Sequence, residues 1–406
     1  MGEQAEETTA VAVVEEREGA RVTEVPILLF VRGLFLLVVM LSLVVGLHWY
    51  VGARLIGGLG LSAPLASVAW ALVWSAFGSI FVGFIGMRLL PRGIARVFQW
   101  VGFGWMGACG LFVVSFAVTD LGLWLWTRGA VVDAATLHAR TLAVVGVVLP
   151  ALAWGFFVAR RPEVKRVEVP IAGLPKALDG FKVVQLSDVH IGETLDRRFA
   201  ELVTEQVNAL DADAVVLTGD LVDGSVARLR DEVAPFAKLR GKHGVFYVTG
   251  NHEYYHGGAA WEAEGRRLGF HVLHNEHRVV GEGDGRLVIG GVTDVEGARF
   301  SEAHAPRVDQ AFHGAPDGVP RLLLSHQPRF AKRAAGHGVS LMLSGHTHGG
   351  QMFPFMFFVK LQQPVIGGFK VLSGVPTYTS NGTGYWGPPF RLGPRGEITE
   401  LLLRAA

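Results

Sequence analysis

The stretch "VVQLSDVHIGE" occupies residues 183–193. Its first half is a short apolar run with a β-branched pair, the composition of a buried strand, and it then meets Asp188 and His190 with only Val189 between them. On an extended strand, residues two apart project from the same face, so the spacing predicts a carboxylate and an imidazole side by side where the strand ends.

The same ending recurs along the rest of the chain. Runs such as "DAVVLTGD", "GVFYVTGNHE", "PRLLLSHQP" and "VSLMLSGHTH" alternate with helical segments such as "RFAELVTEQVNAL" and "WEAEGRRLGF". That alternation predicts an α/β domain, in which ligands collect where strands give way to loops. The strand-end groups are Asp188 and His190, Asp220 in "TGDLVD", Asn251 and His252 in "TGNHEYY", His326 in "LLSHQP", and His346 and His348 in "LSGHTHGGQ". This is an inventory of oxygen and imidazole nitrogen without thiolate, which suits Mn²⁺, Fe or Zn²⁺ rather than a soft metal. Gly219, Gly250 and Gly345 each directly precede one of these residues, where the lack of a Cβ permits a sharp turn or a close approach.

Upstream of this domain the composition is different. Over its 406 residues the chain is 50% hydrophobic and 18% charged, with a mean hydropathy of +0.35, too apolar for a wholly water-soluble protein. The formal net charge of +1 singles out no partner, and no nucleic-acid binding is evident. One cysteine, Cys109, excludes an internal disulfide and a Cys-rich zinc site; within an apolar run it reads as a packing residue. Residues 1–25 read as a loose acidic tail. Residues 26–160 carry four apolar runs near the 20 residues needed to cross a hydrocarbon core, and they predict about four transmembrane helices. Arg88, Arg92 and Arg96 follow the second run, and Arg160, Arg161, Lys165 and Arg166 follow the fourth; the excess of basic residues predicts that both connections face the cytoplasm. The loop of residues 119–140 would then lie on the other side, with Trp124 and Trp126 in the interfacial belt. No acidic residue is expected well inside a span, so the helical half reads as an anchor in the cell's inner membrane.

"DVH", "GDLVD", "GNHE", "SH" and "GHTHGG", in that order, resemble the motifs of the calcineurin-like metallophosphoesterases, and "GNHEYY" with "LSGHTHGGQ" resembles their membrane-attached bacterial branch. The resemblance covers residues 165–406 and implies a four-layered α/β/β/α sandwich with a two-metal site. It gives one ion to Asp188, His190 and His348 and the other to Asn251, His326 and His346, with Asp220 bridging. His252 would stand near the leaving-group oxygen, and Asp223 would support a ligand histidine or the loop. Two ions so placed can sharpen a shared water into hydroxide that attacks a phosphate ester. The expectation is a membrane-anchored, cytoplasm-facing phosphodiesterase, with a phospholipid or other lipid-linked ester among its substrates. A signalling or scaffold protein of weak turnover, and a transporter regulated by its metal-binding domain, are the alternatives. Gly349, Gly350 and Gln351 either contact a phosphate oxygen or only shape their loop. The apolar stretch 352–369 either dips into the membrane interface, receives an acyl chain, or forms a buried flap over the metals.

Overall fold

The computed structural model describes residues 3–406, with side chains described from Leu29 onward except at Met87. The acidic tail expected over residues 1–25 lies outside the residues with described side chains. Four long helices open the chain: α1 (Glu3–Leu59), α2 (Ala63–Leu89), α3 (Arg92–Thr127) and α4 (Ala134–Ala159). Within them Leu29–Leu59, Ala63–Gly86, Arg92–Thr127 and Ala134–Ala159 are each long and apolar enough to cross a membrane.

Two expectations are corrected here. The loop expected over 119–140 shrinks to 128–133, because α3 continues to Thr127 and α4 resumes at Ala134; Trp124 and Trp126 belong to helix. A continuous helix satisfies its own backbone in lipid, which a long loop would not. Asp120, moreover, is an acidic residue inside a candidate span. It is held by Arg54 Nε at 2.8 Å, by Arg140 and by the Tyr50 hydroxyl, which donates at 2.8 Å. Paired in this way, a carboxylate is tolerated on an apolar helix of spanning length.

The chain divides into two compact units. One holds the chain up to Trp74 together with Ser115–Leu142; the other holds Ser75–Val114 and Ala143–Ala406. The second unit therefore joins the adjacent ends of α2 and α3, and most of α4, to the α/β domain. Arg92 pairs with Glu232 at 2.8 Å and lies 3.5 Å from Glu193, and Arg96 pairs with Asp196 at 3.1 Å.

The α/β domain begins with β1 (Glu163–Ile171) and β2 (Lys182–Leu186), then α5 (Arg197–Asn208), β3 (Ala214–Thr218), α6 (Val226–Val233) and β4 (Val245–Val248). There follow α7 (Asn251–Tyr255), α8 (Gly258–Arg267), β5 (His271–Val272), β6 (Glu276–Val280), β7 (Leu287–Gly291) and α9 (Val308–Ala311). The chain closes with β8 (Arg321–Leu324), α10 (Ala331–Ala334), β9 (Leu341–Ser344), α11 (Met356–Gln362), β10 (Gly368–Leu372), β11 (Val375–Thr379) and β12 (Glu397–Ala405).

These strands form two six-stranded sheets, ordered β1-β12-β2-β3-β4-β5 and β10-β11-β9-β8-β7-β6. Period-2 alternation builds the layers. Val183, Ala214, Val216, Phe246 and Val248 of the first sheet meet Ile289, Leu322, Leu324, Leu341 and Leu343 of the second in one buried cluster. Their neighbours Val184, Val215, Leu217 and Val245 turn outward against α5 and α6, while Val288, Leu323 and Met342 turn outward against α9 and α10. The result is an α/β/β/α sandwich, as expected. Polar ties lock the sheets together at one end: Gln185 Nε2 donates to Ser344 O at 2.9 Å, and His326 Nδ1 lies 2.8 Å from Thr218 O. That end carries the strand-to-loop junctions singled out in the sequence. The stretch 352–369 is no buried flap: α11 has no buried residue, although its flanks pack, with Met352 buried, Phe355 against Gly110 of α3 and Val365 against the outer core of the second sheet.

Candidate metal centre

The strand that was expected to carry Asp188 and His190 ends at Leu186. Both residues lie beyond it with left-handed backbones, φ 52° and 53°, so their convergence does not come from strand alternation. Asp220 (φ 53°), His346 (φ 71°) and His348 (φ 51°) share that conformation. For a residue with a Cβ it costs roughly 1–2 kcal/mol, and its repetition at five such positions is the kind of strain that clusters at functional sites. Backbone hydrogen bonds sustain it: Asp188 N–H donates to Gly219 O at 3.0 Å and His190 N–H to Asp220 O at 3.1 Å. Gly219, at φ 91°, answers to the turn itself. Gly345 answers to close approach, since a Cβ there would fall on the Ser187 hydroxyl and the Asp188 carboxylate.

These turns bring the expected ligands together. Asp188, His190 and His348 form one group and Asp220, His326 and His346 another, the ligand atoms of each lying within 4.8 Å of one another. His190 Nε2 faces His348 Nε2 at 3.0 Å, and His348 Nε2 lies 3.5 Å from Asp188 Oδ1. In the second group, His326 Nε2 is 3.1 Å from Asp220 Oδ2, 3.1 Å from Asn251 Oδ1 and 3.2 Å from His346 Nδ1. Asp220 Oδ2 also lies 3.9 Å from His190 Nε2, so this one carboxylate reaches both groups.

The donors fit divalent cations. Imidazole nitrogens aimed at one another in two places are poorly matched without a cation or a shared proton. Burial first, and then the neighbouring histidines, hold His346 down to about 3 and His348 well below its ordinary value, so both rings are neutral, the form that binds metal. Burial alone would raise Asp220, but His326, His252 and His190 outweigh it and keep the carboxylate ionised.

His252 stands beside these groups, its Nε2 4.0 Å from Asp220 Oδ2. Asp223 Oδ1 lies 2.6 Å from His252 Nδ1 and 2.9 Å from His190 Nδ1, so one carboxylate orients both rings. Burial would lower the His252 pKa; Asp220 and Asp223 outweigh it and raise it to about 9, so the ring is protonated at neutral pH. Gly350 N–H donates to Thr347 O at 2.8 Å. Gln351 Nε2 donates to the carbonyls of Trp386 and Pro388 at 3.1 and 2.9 Å, and its Oε1 accepts from Trp386 N–H. Of the two roles left open for this trio, shaping the loop is the one with visible partners.

Three residues escaped the sequence reading. Glu253 accepts from the backbone N–H groups of Asp220, Leu221 and Gly250 at 3.0, 2.7 and 2.6 Å, fixing two ligand loops at once. Its place three residues after Gly250, as in a capping box, was the available signal. Arg391, 1% exposed, donates to the carbonyls of His348, Asn381, Gly382, Gly384 and Pro394. Trp386 sets its ring edge-on to His252, with centroids 5.5 Å apart. No spacing rule points to either.

Comparison with known proteins agrees with this geometry. A family profile described as calcineurin-like phosphoesterase matches residues 181–350. A Bos taurus protein named "Transmembrane protein with metallophosphoesterase domain" is 35% identical over 359 residues, covering 83% of this chain and 81% of that protein. A Danio rerio protein of the same name is 36% identical over 256 residues, 61% of this chain and 59% of that one. An "Uncharacterized metallophosphoesterase" of Helicobacter pylori is 38% identical over 245 residues, 60% of this chain and 64% of that one.

Proposed function

The chain belongs to the calcineurin-like metallophosphoesterases, and from that premise we propose that it is a membrane-anchored phosphodiesterase working with two divalent cations. The observation that carries this reading is the meeting of two ligand groups at one carboxylate, Asp220. In the proposed assignment Asp188, His190 and His348 would hold one ion and Asn251, His326 and His346 the other, with Asp220 serving both. The ions are Mn²⁺, Fe or Zn²⁺, in keeping with an all-oxygen and imidazole donor set. Bound there, such a pair supplies Lewis acidity toward phosphoryl oxygens and acidifies a water enough to attack near neutral pH.

The chain's own groups do the rest. Asn251, being neutral, limits the negative charge that an anionic substrate meets. Glu253 holds the Asp220 loop, and Asp223 points His252 at the site with its proton in place. His252 gives that proton to the leaving oxygen as the P–O bond breaks, a task worth roughly 10²–10⁴-fold in rate. Residues 165–406 carry this chemistry, residues 26–160 anchor it, and the arginines beside the second and fourth spans favour a cytoplasmic placement at the inner membrane. A lipid-linked ester is the substrate class that such an anchor favours.

The test is hydrolysis of bis-p-nitrophenyl phosphate by the purified full-length protein, after metal removal and after return of Mn²⁺. Asp220→Ala is expected to lose bound metal, read by elemental analysis, together with turnover. A variant that keeps two ions per chain and full activity would overturn the assignment.

A further inference from the structure

A cavity of about 420 Å³ opens beside His252. Its two ends differ in chemistry. At one lie His190, Asp223 and His252; at the other lie Phe84, Ile85 and Leu89 of α2 and Phe103 of α3. An aromatic path joins them: Phe84 contacts Phe103 with ring centroids 4.8 Å apart and Trp386 with centroids 6.2 Å apart, and Trp386 in turn abuts His252. Ile85 and Leu89 are 57% and 75% exposed, on the helix whose apolar run Ala63–Gly86 is long enough to span a membrane. The apolar end of the cavity is therefore continuous with the exposed apolar face at the end of α2. Between the ends, Arg88 donates to Tyr255 O at 3.3 Å, and its remaining N–H groups are free to meet an anionic headgroup at that level.

The path offers three aromatic rings and two aliphatic side chains, apolar surface that a short polar ester would leave uncovered, while Gln99, Glu193 and Thr194 are among the polar groups elsewhere in the lining. An amphiphile with its phosphate at the histidines and a hydrocarbon chain along α2 matches both ends. We propose that the ends of α2 and α3 are part of the substrate site, and that the substrate is a lipid phosphodiester whose acyl chain lies on Phe84, Ile85, Leu89 and Phe103 and passes into the bilayer. The proposal rests on the phosphodiesterase reading above and assigns a second task to helices that would otherwise only anchor. Each methylene kept from water is worth roughly fourfold in binding, so a few of them set a large chain-length preference.

The experiment uses the full-length protein in detergent with Mn²⁺ and two chromogenic diesters, methyl and dodecyl p-nitrophenyl phosphate. The dodecyl ester is expected to exceed the methyl ester in kcat/KM by tenfold or more. Ile85→Ser combined with Leu89→Ser should lower that ratio by at least tenfold, whereas Leu36→Ser, on an exposed part of α1, should leave it as in the wild type. Because both esters partition into detergent identically for every variant, a change of ratio reports the protein. A wild-type ratio near one, or a ratio that the double variant does not move, overturns the acyl-chain site while leaving the hydrolase reading intact. Absence of turnover on both esters sinks the hydrolase reading and the acyl-chain site with it.

Discussion

Asp223 serves two imidazoles at once, and that sharing makes the protonation of His252 testable. A raised pKa keeps the proton on the ring to higher pH, so an activity that needs protonated His252 holds through neutral pH and falls on the alkaline side. Asp223→Asn removes one of the three carboxylates, with Asp220 and Glu253, that raise it; the alkaline limb of the pH–rate profile should move to lower pH, with metal content measured alongside. His252→Ala should abolish that limb. Arg391 makes a different argument. Its guanidinium is buried against five carbonyls, and burial pushes its pKa down to about 10, still charged at neutral pH. Arg391→Leu strands those carbonyls and should cost about 3 kcal/mol of stability, seen as a lower melting temperature in detergent, with weaker metal retention because His348 loses its backbone tether. Asp188, His190, Asp220, His346 and His348 were all legible as ligand candidates from where the strands stop. Arg391 and Trp386 were not: Arg391 meets backbone carbonyls, mostly of residues 381–394, which no side-chain pattern marks, and Trp386 meets His252 from a segment remote in sequence.

Among elements, α11 shows where a composition-based reading needed the fold. Its apolar residues suit a buried flap as well as a membrane-facing helix; the structure leaves Leu361 83% exposed and Phe358 on the surface beside it, with Phe355 against α3. An exposed apolar turn beside an apolar helix of spanning length has the character of an interfacial segment, and that placement can be tested. A fluorophore on Leu361→Cys, in a background in which the buried Cys109 is replaced by Ala, should be quenched by lipids brominated near the headgroup and spared by a water-soluble quencher. The start of α3 makes a complementary point. Arg92 and Arg96 were read as markers of orientation, and they also pair with Glu232, Glu193 and Asp196, so the same charges fasten the helix ends to the catalytic domain.

At the scale of the whole molecule, the unit that holds the candidate metal centre also holds the adjoining parts of α2, α3 and α4. The division of the chain thus runs through the helices rather than at their end, because ion pairs and the packing of Gly107 of α3 against Pro388 and Phe390 bind them to the sandwich. Orientation is open to direct measurement. A protease-sensitive tag after Ala406 should survive protease added to intact cells and be removed once the membrane is permeabilised; removal in intact cells would invert the proposed topology.

The sequence by itself determined the four apolar helices, the α/β alternation and the ordered set of ligand residues, because hydrophobic period, span length and strand-end chemistry are local properties. It took the folded chain to show that Asp188 and His190 meet through left-handed turns rather than along a strand, that Glu253 and Arg391 join the expected Asp223 in holding the site in shape, and that α2 and α3 supply a wall of the adjoining cavity. Those outcomes depend on two sheets packing face to face over one core and on helices tied to residues far along the chain, and no periodicity within a single segment records such contacts.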